Sequence, residues 1–94
     1  MSVSVALCTH NGSRFLAAQL ESIYAQTVLP DELVISDDAS TDATLAMIDE
    51  IVAAHAASPM RVKVLANQAA LGVTANFEQA IAACTSDVIL LSDQ

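Results

Sequence analysis

The chain has 94 residues, which suits one small domain with a single hydrophobic core. Three basic residues against eleven acidic ones give a net charge of −8, which opposes binding to the phosphate backbone of a nucleic acid. Hydrophobic residues make up 54% of the chain, yet no apolar run approaches the roughly 18 residues that a membrane span needs. No basic segment precedes the apolar N-terminus, which argues against a secretory signal. We therefore expect a soluble cytoplasmic domain that does not bind nucleic acid.

Short apolar runs alternate along the chain with segments in which apolar residues recur at helical spacing. Leu16, Leu20 and Ile23 recur at the spacing of one helix face, and Pro30 interrupts the chain before the next apolar run. The pattern predicts seven elements: a strand at 3–8, a helix from 14 to about 26 capped by Ser13, a strand at 32–36 that extends to 37, a helix capped by Asp42 or Ser40 and ending near 57, a strand at 61–66, a helix capped by Thr74 and ending near 83, and a strand at 87–91.

Several single side chains have expected structural roles. Phe77, Ile81 and Cys84 share a helical spacing that predicts the buried face of the third helix. Cys8 and Cys84 have no metal-binding spacing, so we expect two reduced and buried thiols. His55 ends the apolar stripe of the second helix, and we expect a partly exposed structural histidine rather than a ligand.

The element order β-α-β-α-β-α-β predicts an α/β fold with parallel strands and right-handed crossovers. The third strand alternates Arg61 and Lys63 with apolar residues, as is typical of an edge strand. We therefore predict a Rossmann-like parallel sheet of strand order 3-2-1-4, flanked by helices. In this order a crevice opens at the carboxyl ends of the first and fourth strands, where open α/β sheets bind ligands.

Polar residues follow the strands that meet at this crevice. Asp37 and Asp38 come directly after the apolar run of the second strand, residues 9–13 form a turn after the first strand, and Asp93 follows the fourth. Neither the Gly-x-Gly-x-x-Gly fingerprint of dinucleotide-binding folds nor a phosphate-binding P-loop occurs in the sequence. A phosphoacceptor receiver domain would carry its paired acids after the first strand, whereas these follow the second. A different α/β nucleotide-binding or phosphoacceptor domain is therefore the weakest candidate.

The residue types at the crevice suit a nucleoside diphosphate. A carboxylate such as Asp38 accepts the imide N–H of uracil or thymine, and the flat ring of His10 can stack on the base. Asp93 would repel a diphosphate unless a metal ion lay between them. With three basic residues in the whole chain, a divalent cation held by carboxylates is the natural counter-charge.

Four segments resemble the N-terminal, donor-binding half of a family 2 glycosyltransferase of the GT-A fold, closest to rhamnosyltransferase-like members. In chain order they are Val-Ala-Leu-Cys-Thr-His-Asn-Gly at 5–12, Pro-Asp-Glu-Leu-Val-Ile-Ser-Asp-Asp-Ala-Ser-Thr-Asp at 30–42, Leu-Gly-Val-Thr-Ala-Asn-Phe at 71–77 and Ile-Leu-Leu-Ser-Asp-Gln at 89–94. The order and spacing of all four segments match, so the resemblance covers the whole chain, residues 1–94.

The resemblance implies specific roles at the crevice. Thr9, His10 and Asn11 would line the nucleobase pocket, and Asp38 would pair with the base. Asp93 would open the metal-associated Asp-x-Asp motif. Asp37 is expected to be structural because adjacent strand residues point to opposite faces, and residues 40–42 are expected to act as helix caps. Two further residues would flank the crevice: Gly72 and Asn76.

The sequence departs from the family pattern in three places. His10 stands where tyrosine is common, which keeps a flat ring but a smaller one. Ala70 stands where asparagine is common in the loop before Gly72. The chain ends at Gln94, before the second acid of the Asp-x-Asp motif, and no residue of this half supplies the carboxylate base that an inverting transfer needs.

The resemblance therefore predicts the nucleotide-sugar-binding part of a metal-dependent glycosyltransferase of polysaccharide biosynthesis, with Mn²⁺ or Mg²⁺ expected in the full-length enzyme. The donor would be a UDP- or dTDP-sugar and the acceptor a saccharide or lipid-linked hydroxyl, with the enzyme at the inner membrane face. The 94 residues alone are expected to be inactive. The alternative is a non-catalytic binding or interaction domain that retains this fold and self-associates through the exposed strand edge.

Overall fold

The computed structural model describes residues 1–92. Three helices alternate with four strands, as the sequence pattern predicts. In chain order the elements are β1 (Val3–Thr9), α1 (Ser13–Tyr24), β2 (Glu32–Asp38), α2 (Thr44–Ala54), β3 (Arg61–Asn67), α3 (Val73–Ala83) and β4 (Val88–Ser92).

The four strands form one parallel sheet of order β3-β2-β1-β4, which confirms the predicted α/β Rossmann-like fold flanked by helices. The register pairs Thr9 with Asp37 and pairs Asp38 with Asn67. The polar ends of β1, β2 and β3 are therefore neighbours at the carboxyl edge of the sheet.

The two faces of the sheet bury separate apolar clusters. The larger cluster joins β1 and β2 to α1 and α2 and is formed by Val5, Leu7, Leu16, Leu20, Ile23, Leu33, Ile35, Ile48 and Met60. The smaller cluster lies on the face covered by α3 and is formed by Ala6, Cys8, Val34 and Ala80, with Phe77 packed against it. Consecutive strand residues alternate between the two clusters, as the pleat of a strand requires.

The predicted face of α3 is only partly right. Phe77 and Cys84 pack against the smaller cluster, but the side chain of Ile81 is 38% exposed. The residues that α3 buries fully are Asn76 and Ala80. The helix is turned in this way because the amide of Asn76 is hydrogen-bonded to β2, so a polar contact takes part of the face that the apolar spacing assigns to Ile81.

None of the three helices begins with the predicted side-chain cap. The N-cap residues are Gly12, Ala43 and Gly72, and none of them makes a side-chain capping hydrogen bond. Ser13 and Thr74 lie inside the helices that they were predicted to cap. The predicted ends near 26 and 57 are also too late, because α1 ends at Tyr24 and α2 at Ala54.

The β3 edge carries a buried ion pair at the start of the neighbouring strand. Lys63 lies 3.0 Å from the carboxylate of Glu32, whose side chain is 1% exposed, while Lys63 itself is 43% exposed. Burial works against the charge of Glu32, but hydrogen bonds from Thr85 and Ser4, together with Lys63, lower its pKa to about 2. The charged β3 edge that the sequence predicts is confirmed, and Lys63 on this edge also stabilises the buried carboxylate of Glu32.

The C-terminal ends of α1 and α2 are joined by an aromatic contact. The rings of His55 and Tyr24 stack with centroids 3.8 Å apart, and His55 Nε2 lies 3.0 Å from the carboxylate of Glu21. His55 therefore has the structural role that the sequence predicts. Cys8 is buried, Cys84 is half-buried, and neither forms a disulfide within residues 1–92.

No helix in the described part of the chain is both long enough and apolar enough to cross a membrane.

Candidate functional site

Three connecting segments meet at the carboxyl edge of the sheet, next to one another. They are the β1–α1 turn at 10–12, the β2–α2 loop at 39–43 and the β3–α3 loop at 68–72. Asp37 and Asp38, the last two residues of β2, lie between them. Hydrogen bonds from all three segments reach these two residues: His10 bonds to the backbone oxygen of Asp38, Ser40 to the Asp37 carboxylate and the Leu71 amide to the Asp38 carboxylate.

The carboxylate of Asp37 is fully buried and faces the β1–α1 side. It accepts hydrogen bonds from Thr9 Oγ1 at 2.6 Å, from Ser40 Oγ at 2.6 Å and from the Ser40 amide at 3.1 Å. A buried charge is tolerated when its acceptor positions are filled in this way. Asp37 thus has the structural surroundings that the sequence predicts, and Thr9 is 2% exposed beneath the turn rather than on the surface.

The carboxylate of Asp38 points the other way, towards the start of α3. Its Oδ1 accepts the Leu71 amide at 2.7 Å and Asn67 Nδ2 at 3.0 Å, and its Oδ2 accepts the Gly72 amide at 2.9 Å. The hydrogen bonds from Leu71, Asn67 and Gly72, aided by the nearby His10, lower the pKa of Asp38 below its usual value. At neutral pH Asp38 is therefore an ionised carboxylate in a fixed orientation.

His10 lies on the surface directly above Asp38. Its Nδ1 is 2.5 Å from the backbone oxygen of Asp38. A carbonyl oxygen only accepts, so Nδ1 carries the proton in this contact, and Nε2 is the acceptor that faces Asn11 Nδ2 at 3.5 Å. The exposed ring is thus tied to the last residue of β2.

Asn11 joins the first turn to the second loop. Its backbone has a φ of 48°, in the left-handed region that asparagine adopts more readily than most residues. Its Oδ1 accepts the amides of Thr41 at 2.8 Å and Asp42 at 3.4 Å, and its own amide donates to Ser40 Oγ at 2.9 Å. The side chain of Asn11 is therefore engaged in holding the loop.

Asp42 and Thr44 complete the same junction. The Asp42 carboxylate accepts the Thr44 hydroxyl and also the amides of Thr44 at 2.9 Å and Ser13 at 3.3 Å. These bonds, chiefly the one from the Thr44 hydroxyl, lower the pKa of Asp42 to about 2. Thr44 Oγ1 in turn accepts the Gly12 amide at 3.0 Å. Asp42 is thus bound to the first turns of two helices, although Ala43 is the N-cap of α2.

Gly72 is the residue at which the β3–α3 loop enters α3. Its φ of 91° and ψ of 163° belong to a region essentially restricted to glycine. A Cβ built there would meet nothing within 4 Å, so the requirement for glycine is one of backbone conformation rather than space. This conformation turns the Gly72 amide towards Asp38.

Asn76 lies beneath this loop and is 2% exposed. Its Nδ2 donates to the Ser36 carbonyl at 3.0 Å, and its Oδ1 accepts Ser36 Oγ at 2.6 Å. Two residues that the sequence analysis did not single out complete the cluster: Asn67 and Gln79. The sequence signal for Gln79 was its spacing, because it follows Asn76 by three residues and so shares its side of α3.

The edge therefore brings together most of the predicted site residues. Residues 9–11, Asp38 and Gly72 lie around one end of β2, with Asn76 underneath. Asp93, predicted to bind the metal, lies outside the described residues. Within residues 1–92 no group of three or more His, Cys, Asp and Glu side chains is placed to hold a metal ion. The metal site stays a prediction.

The fold and this edge place the chain in a class: it is an α/β protein with hydrogen-bonded carboxylates at the carboxyl edge of a parallel sheet, the edge at which open α/β sheets bind ligands. The family model for glycosyl transferase family 2 matches residues 4–94. Because the match extends over nearly the whole chain, the chain belongs to glycosyl transferase family 2.

Two curated relatives whose names include glycosyltransferase agree with this assignment. EpsE of Bacillus subtilis, which is named as a glycosyltransferase, is 35% identical over 91 residues, a match that covers 97% of this chain and 32% of EpsE. An uncharacterized glycosyltransferase of Nostoc sp. is 32% identical, with 99% of this chain and 28% of that protein covered. An uncharacterized protein of Mycobacterium tuberculosis is 32% identical over 97% of this chain and 26% of its own length. The chain thus spans about a quarter to a third of these relatives.

Proposed function

We propose that this chain forms the nucleotide-sugar-binding part of a GT-A-type glycosyltransferase, and that the nucleotide carries uracil or thymine. The observation that carries the proposal is the ionised, oriented carboxylate of Asp38 at the end of β2, directly below the exposed ring of His10. Membership of glycosyl transferase family 2 supports a sugar nucleotide rather than another nucleotide as the ligand.

Base recognition follows from hydrogen-bonding chemistry. The imide N–H of uracil or thymine donates, and an ionised carboxylate only accepts, so Asp38 is matched to this edge of the base. The flat ring of His10 offers a surface on which the face of the base can stack. Thr9 and Asn11 act in this proposal by holding the turn that presents His10, because their side chains are bonded to Asp37 and to the β2–α2 loop.

The diphosphate needs positive charge, and of the three basic residues only Arg14, in the first turn of α1, lies near this edge. Lys63 is at the opposite end of the sheet beside Glu32, and Arg61 begins the same strand. We propose that Mn²⁺ or Mg²⁺ neutralises the diphosphate, with Asp93 as a ligand, since carboxylate oxygens are the donors that these hard cations prefer. The cation would stabilise the leaving diphosphate during transfer.

The transfer itself concerns the whole enzyme. We propose that the longer protein is a rhamnosyltransferase-like enzyme that transfers a sugar to the hydroxyl of a saccharide or of a lipid-linked acceptor. We place this reaction in the cytoplasm or at the inner membrane face. Such a step needs a carboxylate base to take the proton of the acceptor hydroxyl. We assign that role to no residue of this chain, and we expect binding without turnover from these 94 residues.

Calorimetry with UDP and dTDP, with and without Mn²⁺, tests the proposal. We expect Asp38→Asn, which removes the charge and keeps the shape, to weaken UDP binding about 10- to 150-fold, the value of a hydrogen bond to a charged group. The matched control is Asp49→Asn, which removes the same charge from an exposed position on α2. Absence of UDP binding, or equal affinity in wild type and Asp38→Asn, would contradict base recognition by Asp38.

One observation favours a second candidate, an interaction domain that self-associates. On the β4 edge, Leu90 and Leu91 are 54% and 60% exposed, whereas the β3 edge carries Arg61 and Lys63. An apolar strand edge without charged residues is a template for pairing with another strand. Sedimentation velocity distinguishes the candidates: a dimer that Leu90→Lys disrupts and Leu71→Lys leaves intact would support self-association, and a monomer at all concentrations would exclude it.

A further inference from the structure

A chain of side-chain amides leads from α3 to Asp38. Gln79 Nε2 donates to Asn67 Oδ1 at 2.8 Å, and Asn67 Nδ2 donates to Asp38 Oδ1 at 3.0 Å. Asn67 is the last residue of β3, and Gln79 lies in the middle of α3. Both hydrogen bonds point in the same direction, towards the carboxylate.

Gln79 helps to fix which end of the Asn67 amide faces Asp38, because it holds the Asn67 oxygen on the other side. An asparagine side chain can rotate to exchange its oxygen and its NH₂ group, which have similar shapes and opposite hydrogen-bonding character. With the oxygen of Asn67 bound to Gln79, the NH₂ group must face Asp38. In the opposite orientation, the amide oxygen would lie against the carboxylate, and two acceptors would repel each other.

Gln79 is itself oriented by a second contact. Its Nε2 also donates to Ser36 Oγ at 2.9 Å, and Ser36 Oγ donates to Asn76 Oδ1 at 2.6 Å. Asn67 Nδ2 makes a further contact with Asn76 Oδ1 at 3.2 Å. This connected set of polar groups fixes which group donates and which accepts in each of these hydrogen bonds.

The consequence is an asymmetric carboxylate. A carboxylate has about four acceptor positions, two on each oxygen. Among residues 1–92, the Leu71 amide and Asn67 occupy both positions on Asp38 Oδ1, and the Gly72 amide occupies one on Oδ2. One acceptor position, on Oδ2, is left for a ligand.

From this geometry we infer that Gln79 and Asn67 are positioning residues that set base specificity, by reserving a single acceptor on Asp38 Oδ2 for a base with an N–H at its pairing edge. The inference rests on the proposed function. Uracil and thymine present such an N–H, whereas the corresponding ring nitrogen of cytosine is an acceptor and would face the carboxylate lone pair. A site built on an unpaired acceptor discriminates strongly against a ligand that lacks the donor.

The variant Gln79→Met tests this inference, because methionine has a similar length and no donor. We expect the Asn67 oxygen to lose its donor and the amide to be held less firmly against Asp38. UDP affinity should then fall about 2- to 12-fold, as for one lost hydrogen bond, and CDP affinity should stay unchanged. The ratio of the UDP and CDP affinities should therefore narrow. The matched control is Gln68→Met, the same substitution at an exposed position in the β3–α3 loop.

A second readout does not depend on nucleotide binding. Carbon NMR of the Asp38 carboxyl group should show its pKa rising in Gln79→Met and staying at the wild-type value in Gln68→Met, because only the former loses control of a donor to Asp38. An unchanged UDP-to-CDP ratio and an unchanged Asp38 pKa in folded Gln79→Met would overturn the positioning role and leave the proposed function intact. Failure of wild type to prefer UDP over CDP would overturn base recognition, whatever the NMR result.

Discussion

The buried carboxylate of Glu32 should make the stability of the domain depend on pH in a defined way. Its pKa is lowered from 4.5 to about 2 by Thr85, Ser4 and Lys63 against the cost of burial. The unfolded chain therefore takes up a proton at higher pH than the folded protein does. The stabilisation is present above the unfolded pKa and is lost as the pH falls towards the folded value.

The size of the effect follows from the same shift. A lowering of the pKa by about 2.5, at about 1.4 kcal/mol for each pH unit, gives an upper value of about 3.5 kcal/mol. Lys63 is 43% exposed and is screened by water, so we expect about 2 kcal/mol for the replacement Glu32→Gln at neutral pH. A domain of this size has a total stability of about 5–14 kcal/mol, so the loss is large enough to measure.

Urea unfolding followed by circular dichroism, at pH values from about 7 to about 3, is the assay. The free energy of unfolding of wild type should decrease once the pH is lower than the pKa of glutamate in the unfolded chain. The difference in free energy of unfolding between wild type and Glu32→Gln should shrink by more than half near pH 3. Glu78→Gln, an exposed change on α3, is the control and should follow wild type throughout. A gap of constant size at every pH, or no gap at pH 7, would refute the reasoning.

Three further predictions concern stability and use urea unfolding at neutral pH. Gly72→Ala should cost about 1–3 kcal/mol because of its backbone conformation, since a Cβ there would meet no neighbour; a variant as stable as wild type would refute this explanation. Leu20→Ala should cost about 2–5 kcal/mol through a core cavity, and Phe15→Ala, at a 65% exposed position, under about 1 kcal/mol; a small loss in Leu20→Ala would contradict the packing. Asn11→Gly should be more stable than Asn11→Ala by about 1 kcal/mol, because both lose the loop contacts and only alanine opposes a positive φ; the reverse order would contradict it.

The sheet was predictable from local patterns in the sequence. The strand order followed from the charges of Arg61 and Lys63, because charged residues on alternate positions are tolerated at an edge and costly in the centre. The caps were not predictable in the same way. Ser40 and Asp42 have the right residue types, but each side chain is shared between a local partner, Asp37 or Thr44, and a backbone amide 29 residues away. Competing partners of that kind do not show in a local sequence window.

The candidate site divides in a similar manner. The position of Asp38 at a strand end could be predicted because a run of apolar residues stops there. The partners of Asp38 could not, since Asn67 and the Leu71 amide come from another strand and loop, 29 and 33 residues further on. The error at Ile81 has the same origin: the hydrogen bond of Asn76 to β2 fixed the rotation of α3, against the apolar spacing.

The hydrogen bonds by which Asn11 joins the β1–α1 turn to the β2–α2 loop have a consequence for the motion of these two segments. Because its oxygen and backbone hold residues 40–42, we expect the β1–α1 turn and the β2–α2 loop to open together. A ligand that bound at this edge would find both segments already ordered, so its binding would cost little conformational entropy. Amide protons in both segments should exchange with solvent in concert.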